Sequence, residues 1–261
     1  MRLVIDHVSK RYGDRAGKAI MALQDITLTV DHEEFVAIVG PSGSGKSTLL
    51  AMVAGLTDIT SGEIYFSGLE YGVDPRIGVV FQEHALFPWR TVLHNIEFGL
   101  EQRGIGKKER REKAFFYVEM MGLTGFEHKF PHQLSGGMRQ RVGIARALAI
   151  QPDLLLMDEP LSALDAQTRL ILQEELLRIW NQERHNTLYV THNIQEAVAL
   201  ADRVVVLTSR PGQIAEVVTI AISKNDRDQP EMQRAMAEYS QQIWHLIRND
   251  AERALKENAS G

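Results

Sequence analysis

The chain has 261 residues, 44% of them apolar, a formal net charge of −5 and no cysteine. That length and apolar share suffice for the core of one α/β domain with a subdomain or appendage, and they exclude a fibrous or disordered chain. The acidic balance argues against a large nucleic-acid footprint, and the lack of cysteine excludes disulfides, thiolate metal sites and a catalytic thiol.

The apolar part of Met1 to His7 is too short for a signal peptide, and nothing approaches the ~20 apolar residues that span a bilayer. The chain is therefore expected to be soluble, or held at a membrane only by another subunit. Alternating apolar and polar residues predict strands over Leu3–Val8 and Leu23–Val30, paired antiparallel and separated by a loop at Gly13–Ala19. Tyr12, at the exit of the first strand, either stacks on a purine ring or merely covers an edge.

Phe35–Val39 is an apolar run that ends in Gly40-Pro41-Ser42-Gly43-Ser44-Gly45-Lys46-Ser47-Thr48, a complete phosphate-binding loop pattern. Small residues let successive backbone N–H groups turn onto phosphate oxygens, and the helix that follows presents its positive end to the same anion. Lys46 is placed to reach the β- and γ-phosphates, and the Ser47 hydroxyl to bind Mg²⁺. Leu49, Leu50, Met52 and Val53 supply the helical spacing, up to Gly55.

Short strands are expected at Gly62–Gly68 and Ile77–Phe81. The second runs into Gln82, a strand-end polar residue that is either a contact to Mg²⁺ and the attacking water or a plain amide. Between His84 and Met121 the pattern turns helical, with helices over Val92–Leu100 and Lys108–Met121. The apolar loop Leu86-Phe87-Pro88-Trp89 before them either packs inside this insert or docks another protein.

Ser135-Gly136-Gly137 opens a helix over Arg139–Ile150, and Ser135 is either an ordinary cap or part of a second anion site. Leu154–Met157 reads as a strand buried on both faces that ends in Asp158 and Glu159. Adjacent carboxylates there need partners. Asp158 suits Mg²⁺, and Glu159 suits polarising an attacking water. Asp165 leads into a helix over Ala166–Glu183. Leu188–Thr191 is a strand ending in His192, which is either structural or a hydrogen-bond donor to a γ-phosphate. Strands over Val204–Leu207 and Ile214–Thr219, with the turn Ser209–Gly212 between them, finish the sheet, and Pro230–Lys256 has helical spacing.

Taken in order, these motifs resemble the ATP-binding subunit of an ABC transporter, over nearly the whole chain to about Val218. Gly40–Ser47 matches Walker A, Leu134–Met138 the signature sequence and Leu154–Asp158 Walker B. The resemblance implies an α/β fold: an ABC-type P-loop ATPase domain with a mostly parallel core sheet, an antiparallel β subdomain and an α-helical signature subdomain. It implies an ATPase domain over residues 1–224, with the helical subdomain at about 84–150, and a C-terminal helical appendage over 225–261.

It further implies ATP and Mg²⁺ as cofactors, Tyr12 on adenine, Glu159 as catalytic carboxylate with Gln82 and His192 beside it, and Ser47, Gln82 and Asp158 around the metal. Asp165 closes the D-loop, and Ser135, Gly136 and Gly137 bind the nucleotide of a second ATPase subunit, identical or a paralogue. Met138 departs from the usual Gln.

A transmembrane permease is the implied partner, with an extracytoplasmic solute-binding protein engaged indirectly and no nucleic acid. The implied location is the cytoplasmic face of the cell membrane. Leu86–Val92 and Ser209–Ile214 resemble the nitrate, sulfonate, taurine and bicarbonate importer group. Lipid-moving systems are the nearest rival, and the Phe-Pro-Trp loop and Arg-Pro-Gly turn favour import over them. DNA-repair clamps carry a long coiled-coil insert, and translation ATPases carry two such domains in one chain; neither feature is present in this sequence.

Overall fold

The computed structural model describes residues 1–13, 19–70, 72–162, 164–227 and 229–259. Positions 14–18 of the expected Gly13–Ala19 loop lie outside the described residues. The chain begins with β1 (Arg2–Gly13), β2 (Ala19–Val30), β3 (Phe35–Val39), α1 (Lys46–Val53), β4 (Ser61–Ser67) and β5 (Ile77–Val80). Next come α2 (Val92–Gln102), α3 (Lys107–Met120), α4 (Gly136–Ala149), β6 (Leu154–Asp158) and α5 (Ala166–Glu183). It closes with β7 (Asn186–Val190), α6 (Ile194–Leu200), β8 (Arg203–Leu207), β9 (Ile214–Thr219) and α7 (Gln233–Ala259). These elements form two compact units, Met1–Val73 with Asn186–Gly261, and Asp74–His185.

The first unit holds two groups of strands. One is antiparallel, in the order β2-β1-β4, with Val4 opposite both Thr29 and Tyr65. In the other, β3 lies between β7 and β8 and runs parallel to both, and β9 returns antiparallel along β8. All five residues of β3 are buried, as an apolar run with parallel neighbours on both sides requires. β1 and β2 extend well beyond the alternation in the sequence. Bulges between Ile5 and Val8 and between Val8 and Lys10 break the two-residue period, and His7 and Asp25 take positive φ there. The helix α6, which the sequence pattern does not disclose, is only seven residues long and starts from an Asn193 cap. The helix α7 packs against α6, β8 and β9.

In the second unit β5 and β6 pair in parallel, Ile77 with Leu154 and Val80 with Met157. Their entry is clamped by a reciprocal contact. Asp153 accepts from the Arg76 backbone N–H (2.8 Å), Nε (2.9 Å) and Nη2 (2.7 Å), while its own N–H donates to the Arg76 carbonyl (2.8 Å). The helices α2, α3 and α4 pack on one another. The helix α4 begins three residues earlier than its apolar spacing suggests. The Ser135 side chain accepts from Met138 N–H (3.2 Å), which stabilises a first turn made of two glycines.

Candidate functional site

In the first unit the parallel strands bring the expected phosphate loop and His192 to one edge. β3 delivers Gly40 directly, and Gly43 and Gly45 take φ of +78° and +92°, values that L side chains rarely adopt. A Cβ on Gly45 would also stand 2.7 Å from Leu23 Cδ2, so β2 presses on the loop from outside. Lys46 is buried and donates to the carbonyls of Gly40 and Pro41, both at 2.9 Å. The helix α1 has no side-chain cap and no acidic residue in its first turn, which leaves its positive end to an anion. Ser44 is fully buried, and its Oγ has no hydrogen-bond partner among the described residues. Pro41 and Thr48 are partly exposed; Ser42 and Ser47 are exposed.

His192 is exposed between β7 and α6. Its neighbours are fixed: Thr191 N–H donates to the Ile38 carbonyl (3.2 Å), and Asn193 N–H donates to Thr191 Oγ1 (3.0 Å). The strand that feeds the phosphate loop therefore also sets the backbone around the histidine. Tyr12 lies on the antiparallel sheet opposite Ile20, 44% exposed, with Lys10 Nζ 4.8 Å from the ring centroid. A cation on one side leaves the rest of the ring surface for stacking.

In the second unit the remaining expected residues gather at two places. Val80 and Met157 are register partners, so Gln82 and Glu159, each two residues further on, leave their strands at the same end. Asp158 closes β6. Glu159 sits at φ +45°, with its carbonyl accepting from Ser162 N–H (3.2 Å) and Oγ–H (2.9 Å). A left-handed glutamate is uncommon, and such outliers concentrate at functional positions. No sequence pattern announces it.

The second place pairs two helix starts. Asp165 caps α5 by accepting from Thr168 N–H (3.0 Å) and Oγ1–H (2.7 Å), and the Thr168 backbone bond leads in holding its carboxyl below the usual value. A Cβ on Gly137 would lie 3.3 Å from Thr168 Cγ2, so the Ser135-Gly136-Gly137 turn rests against that cap. Ser135 is thus an N-cap, and it is exposed.

The loop after β5 is bound to α4. His84 Nδ1 hydrogen-bonds Gln140 Oε1 (2.6 Å), and Arg146 donates to the carbonyls of Ala85 (2.7 Å) and His84 (3.5 Å). The apolar loop is buried unevenly. Phe87 packs inside, its ring centroid 4.5 Å from that of Phe98, whereas Trp89 is 72% exposed. Asn95, fully buried, holds the loop through Phe87, Arg90 and Thr91. A groove of about 630 Å³ on the same unit is lined by Phe115, Phe116, Val118, Glu112, Glu119 and Glu127. Its aromatic residues read in the sequence as an ordinary amphipathic helix.

The ABC transporter family model matches residues 23–162. A nitrate import ATP-binding protein from Synechocystis sp. is 43% identical over 255 residues, which is 95% of this chain and 96% of the relative. A taurine import ATP-binding protein from Yersinia pestis is 47% identical over 215 residues, 82% of this chain and 84% of the relative. Among solved structures, the dimeric post-hydrolysis state of an ATP-binding cassette bound to ADP and Pi is similar with a TM-score of 0.74. It is 33% identical and covers 85% of this chain and 100% of its own.

Proposed function

We propose that this chain, which belongs to the ABC transporter family, hydrolyses ATP to power solute import through a separate membrane permease. The observation that carries the reading is the phosphate loop: an uncapped helix start, two left-handed glycines, and a buried lysine on the loop carbonyls. A cradle whose Gly45 is closed to side chains by Leu23 fits the phosphates of a nucleotide.

Ser47, Gln82 and Asp158 would hold Mg²⁺. Among the described residues no cluster of three His, Asp or Glu could hold a metal alone, which suits an ion bound by one carboxylate, side-chain oxygens and phosphate. When bound, the ion neutralises charge on the phosphates. Glu159 accepts the proton of the attacking water as its oxygen bonds to the γ-phosphorus and the bond to the β-phosphate oxygen breaks. Lys46 and His192 stabilise the charge that moves to the phosphate oxygens. Tyr12 stacks on the base, and the loop from Gly40 to Thr48 orients the chain of phosphates.

A second copy or a paralogue supplies Ser135, Gly136 and Gly137 to this nucleotide, with Asp165 beside them, so that ATP closes a dimer and hydrolysis opens it. The dimeric state of the similar cassette supports this reading. The exposed Trp89 and the aromatic groove rimmed by Glu112, Glu119 and Glu127 suit a basic, apolar-tipped cytoplasmic segment of the permease. No described helix is long and apolar enough to cross a membrane, so a separate subunit would form the path. Nitrate, sulfonate, taurine or a related small solute is the proposed cargo, supported by the nitrate and taurine relatives.

The test is Glu159→Gln. This variant should bind ATP and accumulate as a dimer with turnover reduced at least ~10²-fold, because the amide cannot take the proton. Turnover at the wild-type rate refutes the assignment.

A further inference from the structure

The helix α7 and the Ser209–Gly212 turn have no part in the chemistry above, yet the turn abuts the phosphate loop and α7 holds the turn. We propose that Asp250 of α7 is a positioning residue for nucleotide binding, acting through Ser209 to hold the Arg210–Gly212 turn against that loop. The inference rests on the ATPase reading and deepens it.

The contact with the loop is as close as backbone allows. A Cβ at Gly212 would stand 1.9 Å from the Ser44 carbonyl oxygen, so only glycine fits. Gly212 is held there from one side by β2: its N–H donates to the Ala22 carbonyl (3.0 Å), and Gln24 N–H donates to the Gly212 carbonyl (2.9 Å). The Arg210 side chain lies alongside, with Nη2 3.6 Å from where a Cβ on Gly43 would be. Inside the turn Thr208 Oγ1–H donates to the Pro211 carbonyl (3.1 Å) and Gln213 N–H to Thr208 Oγ1 (2.9 Å).

The other side is held by α7. Asp250 Oδ2 accepts from both Ser209 N–H (2.6 Å) and Ser209 Oγ–H (2.7 Å), two charge-assisted bonds on one oxygen. Just before α7, Arg227 donates to the carbonyls of Val198 (3.1 Å) and Ala199 (2.9 Å) at the end of α6. The appendage therefore grips the helix that follows His192 at one point and the turn behind the phosphate loop at another. Between Gln233 and Asp250 α7 spans about 25 Å at 1.5 Å per residue. A helix of that length is a stiff strut, and the turn it fixes backs the loop that must meet the phosphates in one conformation.

The experiment is steady-state ATPase and calorimetric ATP binding on the full chain with Asp250→Ala, Asp250→Asn and Ser209→Ala, alongside melting curves. Asp250→Ala should raise KM and Kd for ATP about fivefold and leave kcat within about twofold, the pattern of lost ground-state positioning. Asp250→Asn keeps an acceptor oxygen and should restore KM to within about twofold; Ser209→Ala, which keeps the backbone donor, should fall between. A lowered melting temperature with unchanged KM in Asp250→Ala overturns the proposal, as does equal impairment by Ala and Asn. If Asp250→Ala does not fold, a wild-type KM in Ser209→Ala overturns it, and a two- to threefold rise supports it. A wild-type chain that binds no ATP overturns the ATPase reading instead.

Discussion

Asn95 is the side chain on which the loop before α2 depends, and Asn95→Ala measures that dependence. Its Oδ1 accepts from Phe87 N–H (2.9 Å), and its two Nδ2 hydrogens are shared among the carbonyls of Phe87 (3.2 Å), Arg90 (3.0 Å) and Thr91 (3.0 Å). Alanine would leave two of these carbonyls with other donors, since Phe87 O also accepts from Arg90 N–H and Thr91 O from Asn95 N–H. The Phe87 N–H and the Arg90 carbonyl lose the Asn95 bond outright. A buried unsatisfied N–H costs about 1–3 kcal/mol and a lost ordinary bond about 1 kcal/mol, so the variant should be about 2–4 kcal/mol less stable. For a domain of this size that is about 5–15 °C in Tm. Urea unfolding followed by tryptophan fluorescence reads the first quantity, and a thermal scan the second. KM for ATP should be unchanged, whereas retention by the permease should fall, because Trp89 loses its scaffold. A loss below about 0.5 kcal/mol, the range of an ordinary surface substitution, would refute the reasoning.

Gly212→Ala places a methyl group 1.9 Å from the Ser44 carbonyl oxygen, and the turn must move off the phosphate loop. ATP affinity should drop by at least about tenfold by calorimetry; an unchanged Kd would show that the loop does not need its backing. Arg76 holds the Asp153 carboxyl below its usual 3.8, chiefly through their side-chain hydrogen bond. The folded value is the lower one, so this stability is complete above the unfolded value and is lost as pH falls through the folded one. Asp153→Asn should flatten the acid limb of a plot of urea midpoint against pH, and an unaltered limb would remove the pair from the account. Glu119→Lys reverses a charge on the aromatic groove and should weaken permease co-purification without changing ATPase activity; equal recovery would place the docking surface elsewhere.

The sequence reveals most where one period or one loop pattern acts alone. β3, α5 and β9 lie where apolar runs or helical spacing put them, and the phosphate loop is a local pattern whose strand and helix neighbours adjoin it. Legibility fails where a local rule is broken for a distant reason. The bulges in β1 interrupt the alternation because His7 and Asp25 face each other at positive φ across the pair, with His7 Nδ1 2.6 Å from Asp25 Oδ1. The first turn of α4 is hidden by its glycines, which a cap compensates. Glu159 in a left-handed conformation leaves no mark on composition. Gly212 reads as a turn residue, and its neighbour Ser44 is 168 positions away, a distance that no window along the chain covers. The Asp250 contact is hidden for the same reason.

The attachment of the loop after β5 to α4 has a mechanical consequence. Gln140 engages His84, and six residues along the same helix Arg146 engages Ala85. Two fastenings on one rod remove the swivel that a single fastening would permit. A displacement of His84 and Ala85 should therefore carry α4 with it, including its glycine tip beyond Ser135. Cutting either fastening would turn a rigid linkage into a hinge, with the two ends free to move out of step.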